Sequence, residues 1–150
     1  MPVTMEQVRA ALDPEEPDYA KAATLGPGVL PHLEKLIARN DPHLASKAAS
    51  LAGMIGDERA GAVLMKAAKH KDVRVRIAAA HSAQHLPPAA ASLVLTPLLA
   101  DKDIGVQKVA LKSVPRAGTP QLRAKVETLT KRQANPAIVA LSKQVLNRLR

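Results

Sequence analysis

Capping residues recur along this chain at one period, and this feature constrains the fold more than any other. Asp41, Asp72 and Asp103 are each 31 residues apart, and Asn135 follows after 32. Each of them opens a run with helical apolar periodicity. An Asp or Asn in that place caps a helix, because its side chain accepts a hydrogen bond from an unpaired backbone N–H. The period therefore predicts a chain of repeated helical units.

Aliphatic residues repeat in register with these caps. Three residues after the caps stand Leu44, Val75, Val106 and Ile138. A second helix precedes each capped one, with its own aliphatic column at Leu33, Leu64, Leu95 and Val126. The unit is therefore a first helix (A) and a second helix (B), with A helices near 29–39, 58–69, 90–100 and 120–131 and B helices near 42–54, 73–85, 104–114 and 136–149. Gly53 and Gly56 are expected to end one B helix.

The composition favours an all-α fold. The chain is 47% hydrophobic but contains no Phe, no Trp and one Tyr, so its core must be built from Ala, Leu, Val and Ile. Small and aliphatic side chains suit closely packed helices, whereas a sheet protein draws more on aromatic and β-branched residues. We expect one domain spanning residues 1–150, with about four to five repeats.

The expected repeats lie near 26–56, 57–87, 88–118 and 119–150, and the first 25 residues form a degenerate N-terminal unit. Thr4 and Gln7 make a capping box for a helix that reaches about Leu12. A second short helix is expected over residues 18–25. This segment is rich in Asp and Glu, which suits the polar cap of a repeat array.

The run from Asp72 to Ala80 reads DVRVRIAAA and resembles the HEAT-like repeat of the phycobilisome-lyase type, a short bacterial variant of HEAT. The resemblance extends as a pattern over about residues 26–150. It implies a right-handed α-solenoid with the B helices on its concave face. The other units depart from the pattern where this one has Arg76, with Ala45, Gln107 and Val139 in its place. An Asp–Arg ladder through all repeats is therefore not predicted.

Catalytic and metal sites are not predicted. The chain has no cysteine, which excludes disulfides, thiolate metal sites and cysteine nucleophiles. His81 and His85 have the spacing of a metal-binding pair on a helix, but Ser82 stands where a zinc protease has Glu, and no third ligand is evident. We expect no cofactor and no enzymatic activity. No signal peptide and no membrane span are expected, and the predicted location is cytoplasmic.

The net charge of +9 lies entirely in the second half of the chain. Residues 1–75 carry ten Lys and Arg against ten Asp and Glu, whereas residues 76–150 carry twelve against three. Such asymmetry indicates an acidic partner surface, whether protein, nucleic acid or anionic membrane. A surface that serves only solubility is the alternative.

Positions 2, 5, 9 and 13 after each cap lie away from the apolar columns of the B helices, and none of them is acidic. The predicted partner-binding residues on this stripe are Arg74, His81, His85, Lys108, Lys112, Arg116 and Arg148. Lys108, Lys112 and Arg116 are expected to rise along one helix as a single line of charge, here called the basic ridge, with the others flanking it from neighbouring repeats.

The resulting hypothesis is a non-catalytic interaction module that binds an acidic protein segment on a basic concave face. One alternative is a nucleic-acid binder that contacts only phosphates on the same face, since stacking aromatic residues are missing. Another is a lyase-like enzyme subunit that is active only with a partner chain.

Overall fold

A computed structural model of the protein describes residues 2–132 and 135–149. Within these residues the chain forms ten α-helices and no strand, together with single 3-10 turns at Pro27–Val29 and Ala83–His85. The helices are α1 (Met5–Leu12), α2 (Tyr19–Ala23), α3 (Leu30–Ala38), α4 (Pro42–Ile55), α5 (Glu58–Ala68), α6 (Val73–Ser82), α7 (Pro88–Leu99), α8 (Ile104–Ser113), α9 (Pro120–Arg132) and α10 (Pro136–Arg148). The all-α prediction is confirmed.

The helices stack in two layers. Helices α1, α3, α5, α7 and α9 pack one against the next and form the A layer, while α2, α4, α6, α8 and α10 do the same in the B layer. Each A helix also packs against the B helix that follows it, so the described residues contain five helix pairs. Helices α1 and α2 supply the first pair, within the segment expected to be a degenerate unit.

The periodic caps form as predicted. Asp41, Asp72, Asp103 and Asn135 each accept a hydrogen bond from a backbone N–H in the first turn of their helix, at 2.9 to 3.1 Å. The capping box between Thr4 and Gln7 is also present, with both of its hydrogen bonds. These local bonds satisfy N–H groups that no preceding turn can pair.

The two layers are built from side chains of different size. The A-layer column of Leu33, Leu64 and Leu95 is fully buried, as expected for the core. The facing positions of the B layer hold Ala48 and Ala79, which are also fully buried. Small buried side chains allow neighbouring helices to approach more closely than leucine does, so these residues favour closer packing in the B layer than in the A layer.

Several boundaries differ from the sequence-based expectation. Helix α7 begins at Pro88, two residues early, because proline suits the first helical position. Helix α6 ends at Ser82 and continues as a 3-10 turn. Helix α8 ends at Ser113, and Val114 is extended because a residue before proline avoids the helical conformation. Gly56 ends α4 with a left-handed φ of 71°, but Gly53 lies inside the helix.

No helix in the part of the chain that the structure describes is long and apolar enough to cross a membrane.

Candidate functional site

The B-layer helices contain no Asp or Glu. None of the five helices α2, α4, α6, α8 and α10 has a carboxylate between its first and last residue. The acidic residues next to them are the N-caps Asp18, Asp41, Asp72 and Asp103, and each carboxylate bonds to the backbone of its own helix. The carboxylates of this layer are therefore confined to the N-terminal ends of its helices.

Lys108 and Lys112 lie one turn apart on α8 and are exposed. Arg116 is exposed too, but it follows the end of α8 and lies in the loop after Pro115. The expectation that all three residues rise along one helix is therefore wrong for Arg116. Among the described residues, none of these three cations has an ion-pair partner. The basic ridge is two helical lysines and one loop arginine, all facing solvent.

Helix α6 lies beside α8 and carries Arg74 at its N-terminal end. Arg74 is exposed, but its guanidinium donates two hydrogen bonds to the carboxylate of Asp72, at 2.9 and 3.0 Å. These bonds, with the Arg74 backbone N–H, lower the pKa of Asp72 from 3.8 to about 2, and Asp72 in turn raises the pKa of Arg74. The positive charge of Arg74 is thus partly compensated within its own repeat.

His81 and His85 are exposed at the other end of α6 and in the 3-10 turn that follows. The Gln84 side chain lies 3.3 Å from the ring nitrogens of His81 and donates to its carbonyl oxygen at 2.9 Å. Within residues 2–132 and 135–149, no group of three His, Asp or Glu side chains could hold a metal ion. The two histidines are therefore available as polar flanks of the basic ridge.

Arg148 has a different position from the other predicted site residues. Its guanidinium donates to the carbonyl oxygens of Val114 and Leu111, at 2.8 and 3.2 Å. These carbonyls lie at the C-terminal end of α8, which carries partial negative charge. Arg148 thus ties α10 to the C-terminal end of α8, next to the loop that carries Arg116. No spacing in the sequence signals this contact, which joins residues 34 and 37 positions apart.

Two further B-layer cations are buried: Lys47, for which the sequence predicted no role, and Arg76, which was noted only as part of the repeat pattern. The first, Lys47, is 8% exposed and donates to the carbonyl oxygens of Leu12 and Pro14, at 3.0 and 2.7 Å. This contact ties the N-terminal unit to α4. A buried ammonium needs such partners, because leaving it without them costs several kcal/mol.

The second buried cation, Arg76, is 9% exposed and forms an ion pair with Asp101 of the next repeat, at 2.9 Å. It also donates to the carbonyl oxygens of His70 and Lys71, at 3.0 Å each. In the following repeat, Gln107 has the same place and donates to the carbonyl oxygen of Asp101. In the described residues, the Asp–Arg ladder therefore consists of the pair Arg76–Asp101. Gln107 keeps only a hydrogen bond to a backbone carbonyl in the preceding turn, as Arg76 also has.

The helical repeats of this chain match those of known proteins. A family model described as HEAT repeats matches residues 30–114. Among proteins with curated functions, none matches the sequence. One similar structure is the complex of CpcE and CpcF of phycocyanin lyase from Nostoc sp. PCC7120, with a TM-score of 0.70 and 21% identity, covering 94% of this chain and 96% of that one.

A second similar structure is an engineered protein, with a TM-score of 0.59 and 22% identity, covering 96% of this chain and 72% of that one. At these identities the two structures show a shared fold. The match of the family model spans more than half of the chain and includes the run from Asp72 to Ala80 on which the resemblance was based. The HEAT-like resemblance is confirmed, and the chain belongs to the HEAT-repeat family.

Proposed function

We propose that this protein is a non-catalytic interaction module that binds an acidic segment of a partner protein on its B layer, centred on the basic ridge. The observation that carries the proposal is the charge of that layer. Its helices contain no carboxylate, and Lys108, Lys112 and Arg116 are exposed without an ion pair in the described residues. Like charges at this spacing repel weakly, and an acidic partner would reverse that repulsion.

The neighbouring helices define the extent of the proposed face. Helix α6 packs beside α8, and we place its Arg74 and His81, with His85 of the turn that follows, at the border of the proposed face. Arg74 contributes less charge than a free arginine, since Asp72 already binds it. Arg148 acts indirectly by holding the end of α8 and the adjacent loop. Curvature toward the B layer would bring these rows nearer to a bound segment, as in other repeat arrays that use a concave surface.

A protein partner is favoured over nucleic acid. The chain has one Tyr and no Phe or Trp, and Tyr19 lies on α2 at the far end of the stack, so the basic ridge lacks the large aromatic side chains on which single-strand readers stack bases. Nucleic acid could then bind only through phosphates, with steep salt dependence and no sequence preference. The CpcE and CpcF structure is a complex of two chains, which also supports a protein partner.

That same structure is the reason to keep a lyase-like subunit as the second candidate. Its likeness to this chain is one of fold. In a lyase-like subunit, any active site would form only with a partner chain.

We place the module in the cytoplasm. A chain without cysteine forms no disulfides and therefore needs no oxidising compartment.

Affinity capture from an extract of the source cells tests the proposal. The ridge variant carries Lys108→Ser, Lys112→Ser and Arg116→Ser. The control variant carries Lys69→Ser, Lys102→Ser and Lys131→Ser, which removes the same charge from exposed positions outside the B-layer helices. We expect wild type and control to retain the same acidic protein, identified by mass spectrometry, and the ridge variant to lose it.

Circular dichroism should show the same helix content in all three proteins, since the substituted side chains are exposed. Equal retention by the ridge variant would refute the proposed face. Capture that disappears after nuclease treatment would instead favour the nucleic-acid alternative.

A further inference from the structure

The A layer contains a groove with a volume of about 690 Å³ between α3 and the end of α5. This outer groove is on the layer opposite the basic ridge, and its volume falls in the range of small-ligand and peptide sites. Its basic or potentially basic lining residues are Lys35, Arg39, Lys66, His70 and Lys71. Sequence reasoning placed none of them in a site, because they come from two repeats and lie at the ends of two helices.

One carboxylate, Glu34, lies among the lining residues and pairs with Lys66. No ion pair in the described residues involves Lys35, Arg39 or Lys71. A simpler account is that cations near a helix C-terminus offset its dipole. That account covers Lys35 in the last turn of α3 and Lys66 in the last turn of α5. Arg39 is the C-cap residue of α3 and Lys71 lies beyond the end of α5, and both side chains are exposed without an ion pair in the described residues.

The turn at His70 and Lys71, which forms one wall of the outer groove, is held in place by buried hydrogen bonds. The buried guanidinium of Arg76 donates to the carbonyl oxygens of His70 and Lys71, so the turn that carries both side chains is fixed. The His70 ring is oriented as well, because its Nδ1 accepts the backbone N–H of Asp72 at 2.9 Å. In the neutral ring the proton is therefore on Nε2, which can donate to a ligand. Groups fixed in advance lose less entropy on binding.

The rest of the lining is largely apolar. Pro31, Ile37 and Ala38 contribute carbon atoms between the charged side chains. Helices α3 and α5 both end at this groove, so the partial charge that they present is negative. This partial charge and the Glu34 carboxylate oppose any anion, and they oppose a densely charged phosphate most. Spaced carboxylates carry less charge each, and an aliphatic side chain between them matches the apolar lining.

We propose that the outer groove is a second docking site, which binds a short acidic peptide segment containing an aliphatic residue. Carboxylates of the segment would bind Lys35, Arg39 and Lys71, and its aliphatic side chain would pack on Pro31 and Ala38, which are exposed. The Nε2–H of His70 would donate a hydrogen bond to a carboxylate or carbonyl oxygen of the segment. The proposal does not depend on the basic ridge. A module with a site on each layer could hold two acidic segments at once.

The test uses a fluorescein-labelled peptide of sequence Asp-Glu-Leu-Asp-Glu, titrated by fluorescence anisotropy into the ridge variant. Because the basic ridge is absent there, any remaining binding reports on the rest of the surface, whether or not the proposed B-layer function is correct. Adding Lys35→Ser, Arg39→Ser and Lys71→Ser should raise the Kd about tenfold, as expected for three exposed charge pairs. Adding Lys69→Ser, Lys102→Ser and Lys131→Ser should leave it within about twofold.

Glu34→Gln, tested alone in the same background, should lower the Kd about two- to fivefold, because it removes the carboxylate that competes for Lys66. Backbone amide shifts on peptide addition should be largest over residues 34–40 and 66–72. The proposal would be overturned if the Kd were unchanged by Lys35→Ser, Arg39→Ser and Lys71→Ser together, or by Glu34→Gln. So would shifts confined to other parts of the chain, or tighter binding of random duplex DNA to the same groove at equal salt.

Discussion

The two layers of this solenoid use the same secondary structure with different side chains. Buried positions of the A layer hold leucine, as at Leu64 and Leu95, whereas the equivalent positions of the B layer hold alanine, as at Ala48 and Ala79. Helix α4 carries glycine at its closest approach to α6, where a Cβ on Gly53 would lie 2.6 Å from the Cβ of Ser82. The difference teaches that the size of the buried residues sets how closely the helices of a layer can pack, because small side chains allow a nearer approach than leucine does.

The layers also differ in charge. Helices α1, α3, α5 and α9 of the A layer carry both signs, α7 carries no charged residue, and Lys66 of α5 pairs with Glu34 of α3. The charged residues of the B-layer helices are all cations, and they differ in burial and in pairing. Buried Lys47 and Arg76 bind carbonyl or carboxylate oxygens of neighbouring units, whereas Lys108 and Lys112 form no ion pair in the described residues. The buried cations bind neighbouring units, whereas Lys108 and Lys112 are exposed and, unlike Arg74, have no ion pair in the described residues.

The largest expected effect is at Arg76. Replacing it by methionine leaves the Asp101 carboxylate, whose side chain is 9% exposed, without its cation and removes the donor to the carbonyls of His70 and Lys71. We expect Arg76→Met to lower the free energy of unfolding by about 3–5 kcal/mol, measured by urea denaturation. Combining it with Asp101→Asn should recover part of the loss. A loss below about 1 kcal/mol would show that the buried cations do not hold the B layer together.

In the A layer, Leu95→Ala should destabilise the fold by about 2–5 kcal/mol, because Leu95 is fully buried on α7 and alanine would leave a cavity. The midpoint of guanidinium denaturation measures the change. Leu93 on the same helix is 61% exposed and serves as the control, since Leu93→Ala should change stability by less than about 0.5 kcal/mol. Equal effects at the two positions would mean that α7 faces the core differently.

A pair of glycines compares the spacing of the two layers directly. In the B layer, a Cβ on Gly53 would meet the Cβ of Ser82 at 2.6 Å and its backbone at 3.0 Å, so Gly53→Ala should destabilise by about 1–3 kcal/mol. In the A layer, a Cβ on Gly61 would lie 3.2 Å from the Cβ of Ala90. Gly61→Ala should stay within about 1 kcal/mol of wild type, because the gain in helix propensity offsets the tighter contact. Equal losses in thermal melts would contradict the difference in spacing.

The smallest effect is the pH dependence of the Asp72 cap. Hydrogen bonds from Arg74 lower the pKa of Asp72 from 3.8 to about 2, so its stabilisation is complete above about pH 4 and is lost as the pH falls through about 2. Asp72→Asn keeps a capping oxygen but loses the charge. The difference in stability between the two proteins should therefore shrink from pH 5 to about pH 2, in urea titrations at each pH. A difference independent of pH would refute the role of the Arg74 pair.

The period of the caps was enough to predict the four B helices that follow them, since an N-cap is a local interaction between a side chain and its own first turn. The predicted boundaries were wrong where proline intervened, as at Pro115, which follows the end of α8 and precedes Arg116. Gly53 was predicted to end a helix because the sequence does not show how near α6 lies. Its close approach to Ser82 depends on tertiary packing.

The candidate sites also combine features that the sequence could predict with contacts that it could not. Exposure of Lys108 and Lys112 follows from helical periodicity and was predictable. The contact of Arg148 with the end of α8 joins distant residues across repeats, and no local pattern encodes it. The repeat pattern singles out Arg76, but its pairing with Asp101 of the next repeat is seen only in the structure. The outer groove is likewise formed by the turns of two repeats, so it becomes visible only once the A helices are stacked.

The most direct test of the central claim is the salt dependence of binding to the captured partner. Kd should be measured over a series of NaCl concentrations for wild type, the ridge variant and the control variant. If Lys108, Lys112 and Arg116 bind the acidic segment, the ridge variant should bind more weakly at low salt and show a flatter slope of log Kd against log salt, while the control variant keeps the wild-type slope. Equal slopes for wild type and the ridge variant would contradict the claim that the B layer is the binding face.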